Sequence, residues 1–336
     1  MKKHQDQQRI KAKRRLILYA YMLLILLILT TVSAYASFSL STTPRVSNLS
    51  IYINTVPGME ITLDPEDKEW GQHISYEDMF PEKYKLRPAT WSQKDMKFYG
   101  ARYSYDGKLK DQWEPLTDAR HANNTSYENY YCIATFYAHS VRNIQVSLAP
   151  AVALDNGLSA SGTYLMGEPV WNAETILHDN NGKGAENAIR IGLRVTRLDE
   201  SLEPTGDAPE FIIYEPNADA HNDGSIGYLD TPSIDGSETL IEKDKIITQS
   251  ASTWTETDPV ERGVQKHQLG EFTDSSDLFT MKKDEVVKIE MIIWLEGQDA
   301  DCTNAIADAG IVANLQFKVT ELGGGLQPIP QGSDNP

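Results

Sequence analysis

Apolar residues recur at every second position through most of this chain, and that period limits it to strands with one face in a core. Leu49, Ile51 and Ile53 alternate with Ser50, Tyr52 and Asn54. Ile144, Val146 and Leu148 repeat the pattern, as do Ile189, Ile191, Leu193 and Val195, with Arg190 and Arg194 pointing the other way. Val287 through Leu295 and Leu315 through Val319 alternate again, and Tyr130 to Tyr137 is rich in aromatic and β-branched residues. A side-chain period of two belongs to half-buried strands, and many such strands between polar connections predict an all-β, antiparallel sandwich. Asp106-Gly107 after Ala101 to Tyr105 reads as a hairpin turn. Helical periodicity is scarce, with short turns expected in Glu66–Met79 and around Thr303–Ala309.

The exception lies at the start. Leu16 to Ser33 is uncharged and follows Lys11, Lys13, Arg14 and Arg15. Eighteen residues at 1.5 Å each span roughly the hydrocarbon core of a bilayer, and the basic flank keeps to the cytoplasm. Residues 1–36 are therefore expected to be a hydrophobic signal or transmembrane helix, with everything after them exported. Small residues at Ala34 and Ala36 fit signal cleavage, leaving Ser37 as the new N-terminus. Retention as a membrane anchor through Leu16–Ser33 is the alternative.

Residues 1–36 hold seven Lys or Arg against Asp6, a net of +6, while the whole chain carries −17, so residues 37–336 carry −23. Such an acidic surface repels phosphate backbones, which argues against nucleic acid as a partner. Residues 37–322 are long enough for one large β ectodomain. Within it, the polar stretch from 217 to 252 reads as a projecting insertion. Gly-Gly-Gly and three prolines in 323–336 read as a disordered tail. The two cysteines, Cys132 and Cys302, fall in the exported part, where an oxidising exterior permits a disulfide between them; two separate buried thiols are the other reading.

Reaction motifs are sparse. The histidines show no H-E-x-x-H spacing, and neither a G-x-S-x-G elbow, a phosphate-binding G-x-x-x-x-G-K-[ST] loop nor paired C-x-x-C occurs. Calcium is the one weak cofactor candidate. Asp219, His221, Asp223 and Gly224 loosely echo a D-x-[DN]-x-[DN]-G loop, but His occupies an oxygen-ligand position and no Glu closes the loop. Asx-rich turns account for the same residues.

The block from Trp294 to Ile306, with W-L-E-G-x-D-x-x-C spacing, runs from one apolar strand towards another at Ala313–Val319. It resembles exported Gram-positive (clostridial) surface proteins near the TasA/camelysin biofilm-matrix family. The leader, Val46–Ile61, Lys85–Thr90, Asn187–Ile191 and Ile212–Asn217 resemble further blocks of that family in the same order. The resemblance implies a jelly-roll-like sandwich and an exported structural protein that self-associates or joins other matrix proteins, including as a fibre subunit. Camelysins are described as proteases, yet no zinc motif accompanies the resemblance here. After cleavage, the segment from Ser37 could add as a strand to another subunit, with Phe38 and Leu40 filling alternate pockets. An ordinary first strand paired within its own sandwich is the plainer alternative. A glycan- or protein-binding module, then an extracellular hydrolase, are the other function classes considered.

Overall fold

The computed structural model describes residues 19, 22, 46–66, 69–80, 85–93, 96–100, 113–119, 128–153, 160–167, 184–221, 245–251, 253–256, 265–268, 270–306 and 309–322. The chain divides into two compact units, Met1–Thr43 with Tyr103–Lys108, and Pro44–Arg102 with Leu109–Pro336. In the first unit only Tyr19 and Met22 are described, both helical and exposed. The expected leader, the cleavage residues Ala34, Ala36 and Ser37, and the assembly residues Phe38 and Leu40 otherwise lie outside the described residues. No helix among the described residues is long and apolar enough to cross a membrane.

The second unit is mostly strand. Its first sheet contains β1 (Val46–Asn54), β3 (His73–Ile74), β4 (Lys85–Leu86), β8 (Glu128–Asn129), β10 (Ile144–Leu148), β13 (Tyr164–Gly167), β19 (Asp277–Met281) and β21 (Ala309–Glu321). Its second contains β2 (Met59–Thr62), β5 (Pro88–Ser92), β6 (Lys97–Gly100), β7 (Glu114–Pro115), β9 (Tyr131–Ser140), β14 (Ile189–Arg197), β15 (Glu210–Glu215), β16 (Lys245–Thr248) and β20 (Val286–Glu296). Two small ribbons accompany them, β11 (Val152–Ala153) with β12 (Ala160–Ser161) and β17 (Thr253–Glu256) with β18 (Gln265–Gln268).

The first sheet runs β19-β10-β21-β1-β4-β8, with β13 also on β21 and β3 also on β1. The second runs β16-β15-β14-β20-β5-β6-β7, with β9 on β20 and β2 on β9. The expectation of antiparallel sheets needs correction: both sheets are mixed. β1 pairs parallel with β21, β5 with β20, and β15 with β16. Side-chain alternation is the same in either direction of pairing, so periodicity could not show it.

The inner faces of both sheets share one core. Ile53, Val146, Leu315 and Phe317 from the first sheet join Phe136, Ile191, Leu193, Met291 and Ile293 from the second. Phe136 and Phe317 meet across it with ring centroids 6.2 Å apart. This gives the sandwich-like arrangement the alternation predicted.

The second sheet also buries part of its outer face. Trp91, Phe98, Phe211, Ile213, Ile292 and Trp294 form a separate apolar cluster there. Strand β20 records the change along its own length. It alternates in burial as far as Glu290, then stays buried from Met291 to Glu296, as a strand with two covered faces must.

One side of this unit is stitched across the two sheets. After β16 the chain bridges Gln249 to Phe272 and donates Thr273 N–H to Thr248 O at 3.1 Å before entering β19. On β1, β3 and β4 pair at opposite ends of the same side. Between β3 and β4 the chain leaves the sheet through the short helix α1 (Tyr76–Met79). Ser75 and Asp78 close a reciprocal capping box on it, and Tyr76 and Phe80 sink into the core.

Candidate functional site

Charged residues occupy the end of this scaffold where an apolar core should continue. Arg190 is the second residue of β14, preceded by the helical turn α2 (Ala185–Ala188). Its register partner is Trp294 on β20, and its side chain is fully buried. Nη2 donates to Asp299 Oδ2 at 2.7 Å, while Nε lies 3.7 Å from Glu215 Oε2 at the end of β15. Nη1 donates to the carbonyls of Asn187 and Ile189. The planar guanidinium thus ties together α2, β14, β15 and the turn after β20, using the fork geometry that suits arginine to buried carboxylates.

His221 supplies the second cation. Its Nδ1 lies 3.1 Å from Asp299 Oδ2, off the axis of an ideal hydrogen bond, and 4.0 Å from Glu215 Oε1. Its Nε2 faces Pro216 O at 3.2 Å. Both ring nitrogens face acceptors, an arrangement that favours the imidazolium. Burial is the largest influence and lowers the His221 pKa, as does the Arg190 charge, but Asp299, through contact and charge, and the Pro216 carbonyl together outweigh them, and the net shift is upward. Burial likewise pushes Asp299 up, yet His221, the Arg190 charge and the Asp301 N–H hold it below the usual carboxylate range. Two cations then balance two carboxylates, as a buried cluster requires.

Glu296 stands on the same strand end and is fully buried. It accepts from Trp294 Nε1 and from Gln298 N–H, each at 3.0 Å. Burial nevertheless pushes its pKa up to about 7. Asp301 accepts from Asn187 Nδ2 at 3.3 Å, and Asn217, in the left-handed region at φ 54, donates to Glu186 O at 3.3 Å. The carboxylates gathered here are bonded into the interior, where they fasten three segments to one sheet.

Three stretches singled out in the sequence meet at this cluster. Asn187–Ile191 brings Arg190, Ile212–Asn217 brings Glu215, and Trp294–Cys302 brings Glu296 and Asp299. Their pairing was not foreseen. The available signal was a charge set against an apolar strand: Arg190 between Ile189 and Ile191, Glu215 behind Phe211 to Tyr214, and Glu296 behind Met291 to Leu295.

The expected disulfide is not formed; Cys132 and Cys302 are both thiols. Cys132 pairs in register with Ile293 from β9, on one side of β20. Cys302 follows a turn held to the opposite side by Arg190 and Asn187 on β14 and α2. Cys132 is buried, which pushes its thiol up to about 12.

Of the weak calcium candidates, Asp219 is an exposed turn residue that accepts from Ala251 N–H at 2.5 Å. Asp223, with most of the proposed insertion, lies outside the described residues. Among the described residues no group of three His, Cys, Asp or Glu side chains is placed to hold a metal ion. Around His221, the Arg190 guanidinium already takes the place a cation would fill between Glu215 and Asp299.

A second feature is a stretch of β1 that, among the described residues, pairs with a strand on one side only. On β1, Val46 pairs with Leu86, while Ile53 and Asn54 pair with Ile74 and His73. Thr55 N–H donates to Gln72 O at 2.9 Å on that same side. Between these anchors, Asn48 to Tyr52 have β21 on one side and, among the described residues, no strand on the other. By alternation from Thr55, the N–H and C=O of Leu49 and Ile51 point into that interval. No family model, curated protein or solved structure matches the chain.

Proposed function

We propose that this chain is an exported structural subunit of a cell surface or biofilm matrix, of the TasA/camelysin kind, that associates by strand addition. The observation that carries the reading is the interval along β1. Five residues from Asn48 to Tyr52, at about 3.3 Å each, would accommodate a short strand of roughly 17 Å. The segment that could fill it in another copy directly precedes β1 in sequence: Ser37 to Pro44 is uncharged, with Phe38 and Leu40 alternating with serines. Strand addition draws affinity from main-chain bonds and specificity from alternate side chains. In this reading Leu16–Ser33 holds the precursor in the membrane, cleavage after Ala36 frees the donor, and the sandwich has jelly-roll-like connectivity.

The test compares protein beginning at Ser37 with its Phe38→Ser, Leu40→Ser version by light scattering and electron microscopy. Burying each side chain is worth roughly 1.5–3 kcal/mol, so the double variant should assemble orders of magnitude more weakly. Equal polymer from both, or none from either with the fold intact, rejects the reading.

A second reading, a glycan-binding module, draws on the outer face of the first sheet. Tyr52 stacks on His73 with centroids 6.2 Å apart and planes 18° apart. Beside them Asn54 Nδ2 donates to Asn314 Oδ1 at 2.7 Å, and His73 Nδ1 lies 2.8 Å from Asn54 Oδ1. Aromatic faces beside fixed amides suit sugar rings. Retardation in polysaccharide-containing gels, lost in Tyr52→Ala, would support this reading over assembly.

A further inference from the structure

At the opposite edge of the first sheet, side chains and, among the described residues, no strand meet the outward backbone of β19. β19 pairs with β10 through Thr280 with Gln145 and Phe279 with Val146. Gln145 Nε2 also reaches Phe279 O at 3.0 Å, which sets Phe279 O towards β10. The carbonyls of Leu278 and Thr280 then point away from the sheet. Each is met by a cation from the second sheet: Lys245 Nζ donates to Leu278 O at 3.4 Å, and Arg197 Nη1 to Thr280 O at 3.2 Å. Arg197 is itself held by Glu285 at 2.7 Å and Glu210 at 3.0 Å, so it stays in place at little further entropic cost.

We propose that Arg197 and Lys245 guard this edge against a second copy of the chain, blocking antiparallel pairing of β19 with β19 of another molecule. The strand needs such a guard. Its sequence, Asp277 to Met281, has three large apolar residues, no proline and a single charge, the composition of an edge that templates another strand. A two-fold pair would place the same patch against itself. It would have to displace both cations from the carbonyls that the pairing would use, and Arg197 is held there by Glu285 and Glu210. Association by pairing is thereby barred at β19, whatever occurs at β1, so this inference stands without the strand-addition reading.

The test uses the full-length chain in a mild non-ionic detergent. Arg197→Met with Lys245→Met keeps the apolar stems and removes the donors. Mass is followed by size-exclusion chromatography with light scattering across a concentration series, and amide exchange is followed in the 277–281 peptide. The parent should show no concentration-dependent protection of that peptide. The double variant should approach about a twofold rise in protein mass, with slowed exchange at Leu278 and Thr280. Adding Thr280→Pro should return the mass to that of the parent, because the outward N–H that pairing needs is gone. A folded double variant with parental mass and exchange overturns the proposal, as does a parent already protected at β19. If loss of Arg197 prevents folding, Lys245→Met alone decides by the same exchange measurement: slower Leu278 exchange with rising concentration supports the guard, and an unchanged rate overturns it. Failure of protein beginning at Ser37 to polymerise would bear on strand addition at β1 and not on this result.

Discussion

Replacing Arg190 by methionine probes the buried cluster most directly, because it removes the charge while keeping an unbranched apolar side chain. Arg190 and Asp299 have fully buried side chains, and Glu215 is 6% exposed. At the observed separations of 2.7 and 3.7 Å, Coulomb attraction at an effective dielectric of 20 is about 6 and about 4 kcal/mol. Most of that gross gain offsets the cost of taking the ions out of water. The variant keeps that desolvation cost for both carboxylates and loses the attraction of the guanidinium, leaving His221 as the cation beside them among the described residues. Breaking such a pair from one side costs about 3–5 kcal/mol, a large part of a domain's total stability of about 5–15 kcal/mol. Urea unfolding followed by tryptophan fluorescence, with Trp294 at the cluster, should show a lower midpoint and an unchanged slope. Adding Glu215→Gln and Asp299→Asn to Arg190→Met should recover much of the loss, since neither carboxylate is then buried without its counter-charge and His221 can shed its proton. A loss below about 1 kcal/mol for Arg190→Met alone would refute the assignment of Arg190 as the counter-charge that the cluster depends on.

Glu296 predicts the pH dependence: its folded pKa of about 7 lies above the unfolded value near 4.3, so the folded state holds the extra proton and stability falls as pH rises between the two. Glu296→Gln should flatten that fall and gain on the order of 3 kcal/mol at pH 8, read from urea midpoints across a pH series. His221, also raised, contributes stability that is complete below about pH 6.5 and lost as pH rises through its folded pKa, so His221→Gln should remove that share of the alkaline loss. Thiol titration under denaturing, non-reducing conditions should find both Cys132 and Cys302, while in the native protein Cys132 should react far more slowly than Cys302. Gly192→Ala would set a Cβ 2.7 Å from Phe211 Cζ and 3.2 Å from Trp294 Cζ3, so thermal unfolding should reveal a loss of about 1–3 kcal/mol from the outer aromatic cluster.

Strand positions were legible because alternation is written locally. Val46–Asn54, Ile144–Leu148, Ile189–Arg197 and Val286–Glu296 all fall on runs whose period is visible without any partner. The short helix at Tyr76–Met79 and the 3-10 turn at Asn304–Ile306 also fall within stretches expected to turn. Alternation says which side chains share a face and nothing about what covers the other face. Arg190 and Arg194 therefore read alike in sequence, yet Arg190 is sealed between elements while Arg194 keeps 33% of its side chain exposed.

The sequence by itself determined the β class, the acidic charge of the long C-terminal portion and the location of several core strands, since these depend on residues within a few positions of one another. Only the tertiary structure decided strand direction, the separation of the two thiols across β20 and the ionic cluster. Arg190 and Asp299 are 109 residues apart, and β1 meets β21 across nearly the whole unit. A charge inside an apolar run is costly alone and stable beside its counter-charge. Which of these holds for Arg190 is settled by residues that folding brings to it from elsewhere in the chain.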